Sequence, residues 1–136
     1  MNRLGAPLAL LLLPALASAA AAGEPFRMGE ALLCTVERSS VPGGAGKRLL
    51  LAGLDSPAPK AVFENHIRAA LSRIFDSDEI LVLQLVAAVS GSVDTFLVDK
   101  AAGRFVHVSA GIFPVEVHAA AETGICRPVD PDAPFP

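Results

Sequence analysis

Four residues in one stretch of the chain carry side chains suited to short-range chemistry: His107, Ser109, Glu116 and His118. If the strands that bear them fold back at Ala110-Gly111, all four share one face of an antiparallel pair. Two imidazoles and a carboxylate form a zinc-binding set, and a histidine beside a serine can polarise its hydroxyl. The same grouping also arises wherever the solvated side of a sheet collects polar residues. No H-E-x-x-H, G-x-S-x-G or other fixed-spacing motif accompanies them. The reading therefore leans away from an enzyme and expects no cofactor and no metal. A hydrolase or metal-binding role for the His107/Glu116/His118 face stands as an alternative.

Other reactive groups are weaker candidates. His66 lies beside Phe63 and Ile67, where a partly buried structural imidazole is expected. Asp76, Asp78 and Glu79 form an acidic knot, but Ile80 stands where a calcium loop needs another oxygen ligand, and no glycine follows. Gly43-Gly44-Ala45-Gly46-Lys47-Arg48 has the glycines of a phosphate loop without its Gly-Lys-Ser/Thr ending, and reads as a hairpin loop.

The two cysteines, Cys34 and Cys126, are 92 positions apart. That is far from the C-x-x-C spacing of a redox-active pair, so a structural disulfide is expected. The setting fits, because the chain opens with Arg3, an apolar run centred on Leu8 to Leu16, and the small residues Ala17-Ser18-Ala19-Ala20-Ala21-Ala22. These are the three parts of a cleaved secretory signal, with cleavage after Ala19 or Ala22. Pro7 and Pro14 interrupt the run, which argues against a membrane anchor, and contact with a membrane is expected only through the signal.

Without residues 1–22 the chain keeps 10 basic and 14 acidic residues, a formal charge of −4. Trp and Tyr are absent. With little positive charge to neutralise phosphates and only Phe to stack on bases, nucleic acid is not an expected partner. The Ala-rich usage, the short Arg3-led leader and the lack of an N-x-Ser/Thr acceptor point to a bacterial periplasmic or secreted location.

The elements that must position these groups are read from periodicity. Residues 30–39 alternate with Leu32, Cys34 and Val36 on one side, and Lys47 to Gly53 is a return strand. Asp55-Ser56-Pro57 resembles a helix start, and Val62, Phe63, Ile67, Ala70, Leu71, Ile74 and Phe75 recur at three- and four-residue steps. This spacing predicts an amphipathic helix over residues 57–75. Ile80 to Val89 is an apolar strand, Val93 to Val98 and Arg104 to Ala110 form a hairpin around Asp99 to Gly103, and Ile112 to Ala119 is a further strand.

The expected fold is α+β: about six antiparallel strands in a curved sheet with the helix packed on one face, in the order ββαββββ. The expected organisation is a signal peptide over 1–22, one domain over 23–127 and a Pro-rich flexible tail over 128–136.

One pattern bears on function. In the hairpin, Phe96, Val98 and Phe105 share one face, while Leu97, Val106 and Val108 share the other. Two apolar faces need two covers, and one helix supplies one. The leading expectation is accordingly a non-enzymatic interaction or accessory protein, with Leu97, Val106 and Val108 meeting a protein partner or a second copy. The alternative is a carrier of a small apolar ligand held between helix and sheet.

Overall fold

The computed structural model describes residues 25–113, 116–132 and 135. The expected signal peptide, residues 1–22, lies outside the described residues. The described residues form nine strands: β1 (Ala31–Ser39), β2 (Arg48–Ala52), β3 (Lys60–Phe63), β4 (Arg68–Ala70), β5 (Ser72–Asp76), β6 (Ile80–Ala87), β7 (Ser92–Asp99), β8 (Arg104–Phe113) and β9 (Glu116–Val129). All pairings are antiparallel, in the order β4-β3-β2-β1-β9-β8-β7-β6-β5. Strands β4 and β5 end the order, yet only Leu71 separates them in the chain. The sheet therefore curls on itself into a nearly closed barrel.

This corrects the α+β expectation: among the described residues there is no helix, and the segment expected to be one holds β3, β4 and β5. Ile67, Ile74 and Phe75, expected on its buried stripe, are 58%, 57% and 55% exposed. The reason is local. Asn65 accepts a hydrogen bond on its side-chain oxygen from the Ile67 amide at 3.1 Å, and His66 takes a left-handed φ of 63°. Such a turn ends any helix, and the flanking β-branched and aromatic residues suit a pleated strand. Alternating strands offset by that turn, and by an irregularity between Arg73 and Phe75, reproduce the three- and four-residue spacing by coincidence.

The seam between the two end strands is held by side chains as well as backbone. The Leu71 amide donates to the Pro59 carbonyl at 2.9 Å, and Leu71 is buried. Arg73 reaches from β5 to the carbonyls of Leu54 and Ser56, at 2.5 and 3.1 Å, and pairs with Asp76 at 3.3 Å. Arg73→Met removes a charged donor from two backbone acceptors and is expected to destabilise the barrel by about 1–3 kcal/mol. Urea denaturation measures this, and an unchanged midpoint would show that the seam holds without the guanidinium.

Inside the barrel, Leu32, Leu51, Leu81, Leu83, Phe96, Val98 and Phe105 are fully or almost fully buried. Phe105 fits because its cross-strand partner is Gly124: a Cβ there would lie 2.6 Å from the Phe105 ring and 1.9 Å from the Thr35 carbonyl oxygen. Cys34 and Cys126 are direct partners in the β1–β9 ladder, and their sulfurs form a disulfide within this core. A second, smaller cluster lies apart from the first: Ala31, Leu50, Ala52 and Val62, with Val129 and Phe135 packed against it. Val129 and Phe135 thus cover the outer side of β1–β3.

Candidate functional site

The β8 backbone alternates so that Phe105, His107 and Ser109 are drawn inward, while Arg104, Val106, Val108 and Ala110 are exposed. Strand β7 places Phe96 and Asp94 on the same inner side. The turn after β8 falls later than the chain pattern suggests: the strand continues to Phe113, which pairs with Glu116, and residues 114 and 115 lie outside the described residues. The four-residue displacement gives His107 its cross-strand neighbour Glu122, while the β7–β8 register sets Phe96 on its other side.

The result is a linear array across three strands. His107 bonds through Nδ1 to Glu122 Oε2 at 2.9 Å and through Nε2 to Asp94 Oδ1 at 2.8 Å. Its ring stacks on Phe96, with centroids 4.5 Å apart and planes 4° from parallel. Ser39 donates to Glu122 Oε1 at 3.2 Å, tying the array to β1. All three ionisable side chains are largely enclosed, with exposures of 12% for His107, 15% for Asp94 and 14% for Glu122.

Burial alone would push the His107 pKa down, but hydrogen bonds and charge from Asp94 and Glu122 outweigh it and hold the value above 6.5. For Asp94, burial would push the carboxyl up. Hydrogen bonds from His107 and Ser109, with the charges of His107 and His118, instead bring it below 3.8. The two carboxylates thus favour the cationic form of the imidazole. In that form both ring nitrogens carry protons, and neither has a lone pair to ligate a metal or accept a proton from serine. Among the described residues, no group of three or more His, Cys, Asp or Glu is arranged around a metal position.

The array only partly overlaps the polar cluster expected from the sequence. His107 is at its centre, and Ser109 reaches it through Asp94. His118 is exposed and sits across from Gly111. The Glu116 side chain lies outside what the structure describes. Asp94 and Glu122 were missed. Asp94 shares the parity of Phe96 and Val98, which places a carboxylate on a core face and could have flagged it. Glu122 follows three alanines and depends on the register of the turn for its neighbour.

Two concavities flank these elements. A cavity of about 380 Å³ opens at the mouth of the barrel, lined by the largely enclosed His107 and Glu122, the buried Val36 and Leu49, the half-buried Phe63 and Arg48, and the exposed Lys47, Glu64 and Asn65. A groove of about 450 Å³ lies on the outer surface, lined by Ile80, Leu97, Val106 and Ile125 among others. A ligand held between helix and sheet is corrected by the fold, since the helix that would form half of that site is absent among the described residues.

Fold and site define a class: an all-β, barrel-like protein with a buried disulfide joining its first and last strands and an enclosed carboxylate–imidazole–carboxylate array. Comparison with protein-family models, with curated proteins and with solved structures returned no match. The disulfide is compatible with an oxidising compartment outside the cytoplasm.

Proposed function

We propose that this is an exported, non-enzymatic interaction module, periplasmic or secreted from a bacterium, that associates with a second copy through the outer face of β6–β9. The observation that carries the reading is the outward row of apolar side chains. Val86, Val93, Val106, Val108, Ile112, Val117 and Ile125 are 63%, 37%, 37%, 40%, 69%, 77% and 51% exposed. Scattered singly, such residues need no explanation, but on adjacent strands they form a continuous patch of the kind that marks an interface.

A contrast within the molecule strengthens the point. The outer side of β1–β3 is covered by Val129 and Phe135, whereas Val86, Val93, Val106, Val108, Ile112 and Val117 on the outer side of β6–β9 stay exposed. The outer groove is lined by Glu37, Arg38, Asp99 and Arg104, two acids and two bases, of which Asp99 and Arg104 pair with each other. A two-fold axis through such a patch can set acid against base, as a self-complementary contact between identical subunits requires. Leu97, Val106 and Val108, expected as an interface from their parity, fall on this outer side; Leu97 and Val106 line the groove itself.

Size-exclusion chromatography with light scattering on the oxidised protein is expected to give a dimer, and Val106→Glu a monomer with an unchanged circular dichroism spectrum. A wild-type monomer that instead binds phospholipid vesicles would replace the second copy with a lipid surface.

A further inference from the structure

We propose that the cavity at the barrel mouth binds a small zwitterion about two residues long, a dipeptide with apolar side chains. It is a site separate from the outer face. Three observations carry this, and the first is shape. The cavity is bounded by residues of β1, β2, β3, β8 and β9, and its volume of about 380 Å³ corresponds to a space about 7 Å on an edge. Two extended residues span at most about 7 Å.

The second is the lining. Val36 and Leu49 are buried and Phe63 is half-buried, so the walls offer apolar contact to a ligand's side chains. The third is the distribution of charge between its enclosed and its exposed residues. On the enclosed side, His107 and Glu122 line the cavity and Asp94 is bonded to His107, so two carboxylates outweigh one imidazole whichever form the ring takes. Among Lys47, Arg48 and Glu64 the sign is reversed. Glu64 Oε1 accepts from the Arg48 side chain at 3.4 Å and from the Arg48 backbone amide at 3.1 Å. Lys47 is exposed and makes no ion pair among the described residues.

A ligand with a single charge satisfies one end of this gradient and is opposed by the other. A simple amine gains at Glu122 but leaves Lys47 unanswered, and a simple carboxylate gains at Lys47 but leaves the enclosed acids unanswered. A molecule with an ammonium at one end and a carboxylate at the other meets both, and its side chains meet Val36, Leu49 and Phe63. Hydrogen bonds to charged groups in enclosed positions are the stronger kind, so the two ends supply orientation as well as affinity.

Isothermal titration calorimetry on the oxidised protein tests this with four probes: leucyl-phenylalanine, its N-acetyl derivative, its C-terminal amide, and the doubly blocked peptide. The free dipeptide is expected to bind, with each single block weakening it at least tenfold. Lys47→Met should abolish the preference for the free carboxylate while leaving that for the free amine, and Glu122→Gln should do the reverse. Because Glu122 also supports His107, the exposed Lys47→Met variant keeps the test readable should Glu122→Gln not fold. Equal binding of the doubly blocked peptide, or no heat from any of the four at millimolar concentration, would overturn the proposal.

Discussion

Replacing Cys34 and Cys126 together by alanine is expected to lower the unfolding free energy by about 4 kcal/mol. The bridge closes a loop of 92 positions, and in the chain-entropy picture a ring that long removes about 4–5 kcal/mol of freedom from the unfolded state. The native state has less to lose, because the two residues remain paired in the β1–β9 ladder whether or not the sulfurs are joined. The effect therefore falls mainly on the unfolded chain. With a urea dependence of about 2 kcal/mol per molar, the midpoint should move down by about 2 M. Equal midpoints for the two proteins would mean that the bridge contributes no stability.

The second large effect is expected at His107. Its removal in His107→Ala leaves Asp94 and Glu122 enclosed without their shared cation, and strips the stacked ring from Phe96. Breaking a buried charge pair from one side costs about 3–5 kcal/mol. The pH profile distinguishes this cause from a simple cavity. In the wild-type protein the His107 pKa is raised, so its contribution is complete below 6.5 and is lost as pH climbs through the folded value. The Asp94 pKa is lowered, so its contribution is complete above 3.8 and is lost as pH falls through the folded value. The array thus stabilises most strongly between these limits. In His107→Ala the burial that raises the Asp94 pKa is no longer offset by His107, so Asp94 favours its protonated form and stability should rise on acidification from pH 7 to pH 4. A variant whose stability falls in parallel with the wild type over that range would show that the carboxylates are not left stranded.

Much of the fold is legible where alternation is undisturbed. Leu32, Cys34 and Val36 on one parity of β1, and Phe96, Val98 and Phe105 on one parity of the β7–β8 hairpin, all lie in the core. The hairpin loop closes with Gly103 at a φ of 68° and Arg104 bonded to Asp99 at 2.6 Å, as its composition suggests. Residues 57–75 could not be read in the same way. Their strands are three to five residues long, too short for period two to emerge, and their order is imposed by pairing with β2 and β6 elsewhere in the chain. Glu64 illustrates the point: it stands four residues before Arg68, the spacing of a helical ion pair, but meets Arg48 across a strand boundary.

The site was legible in its central residue and not in its partners. His107 attracts attention by type, but its surroundings depend on where β8 turns into β9. A shift from Ala110-Gly111 to the residues after Phe113 exchanges Glu116 and His118 for Glu122 as the facing side chain. A strand register is a property of the assembled sheet, and side-chain identities alone constrain it weakly when alanines line the way, as they do at 119–121.

The pairing of the first strand with the last has a consequence for how the molecule comes into being. Strand β1 lies in the middle of the sheet, and one of its two ladders is supplied by the last strand of the fold, β9. A chain emerging amino-terminus first therefore presents a hydrophobic strand with one open edge until nearly all of it has appeared. Such long-range closure is intrinsically slow, and an unpaired edge invites partners of the wrong kind. A nascent chain of this design has most to gain from being held extended until its final strand is released, so that the sheet closes in one late event.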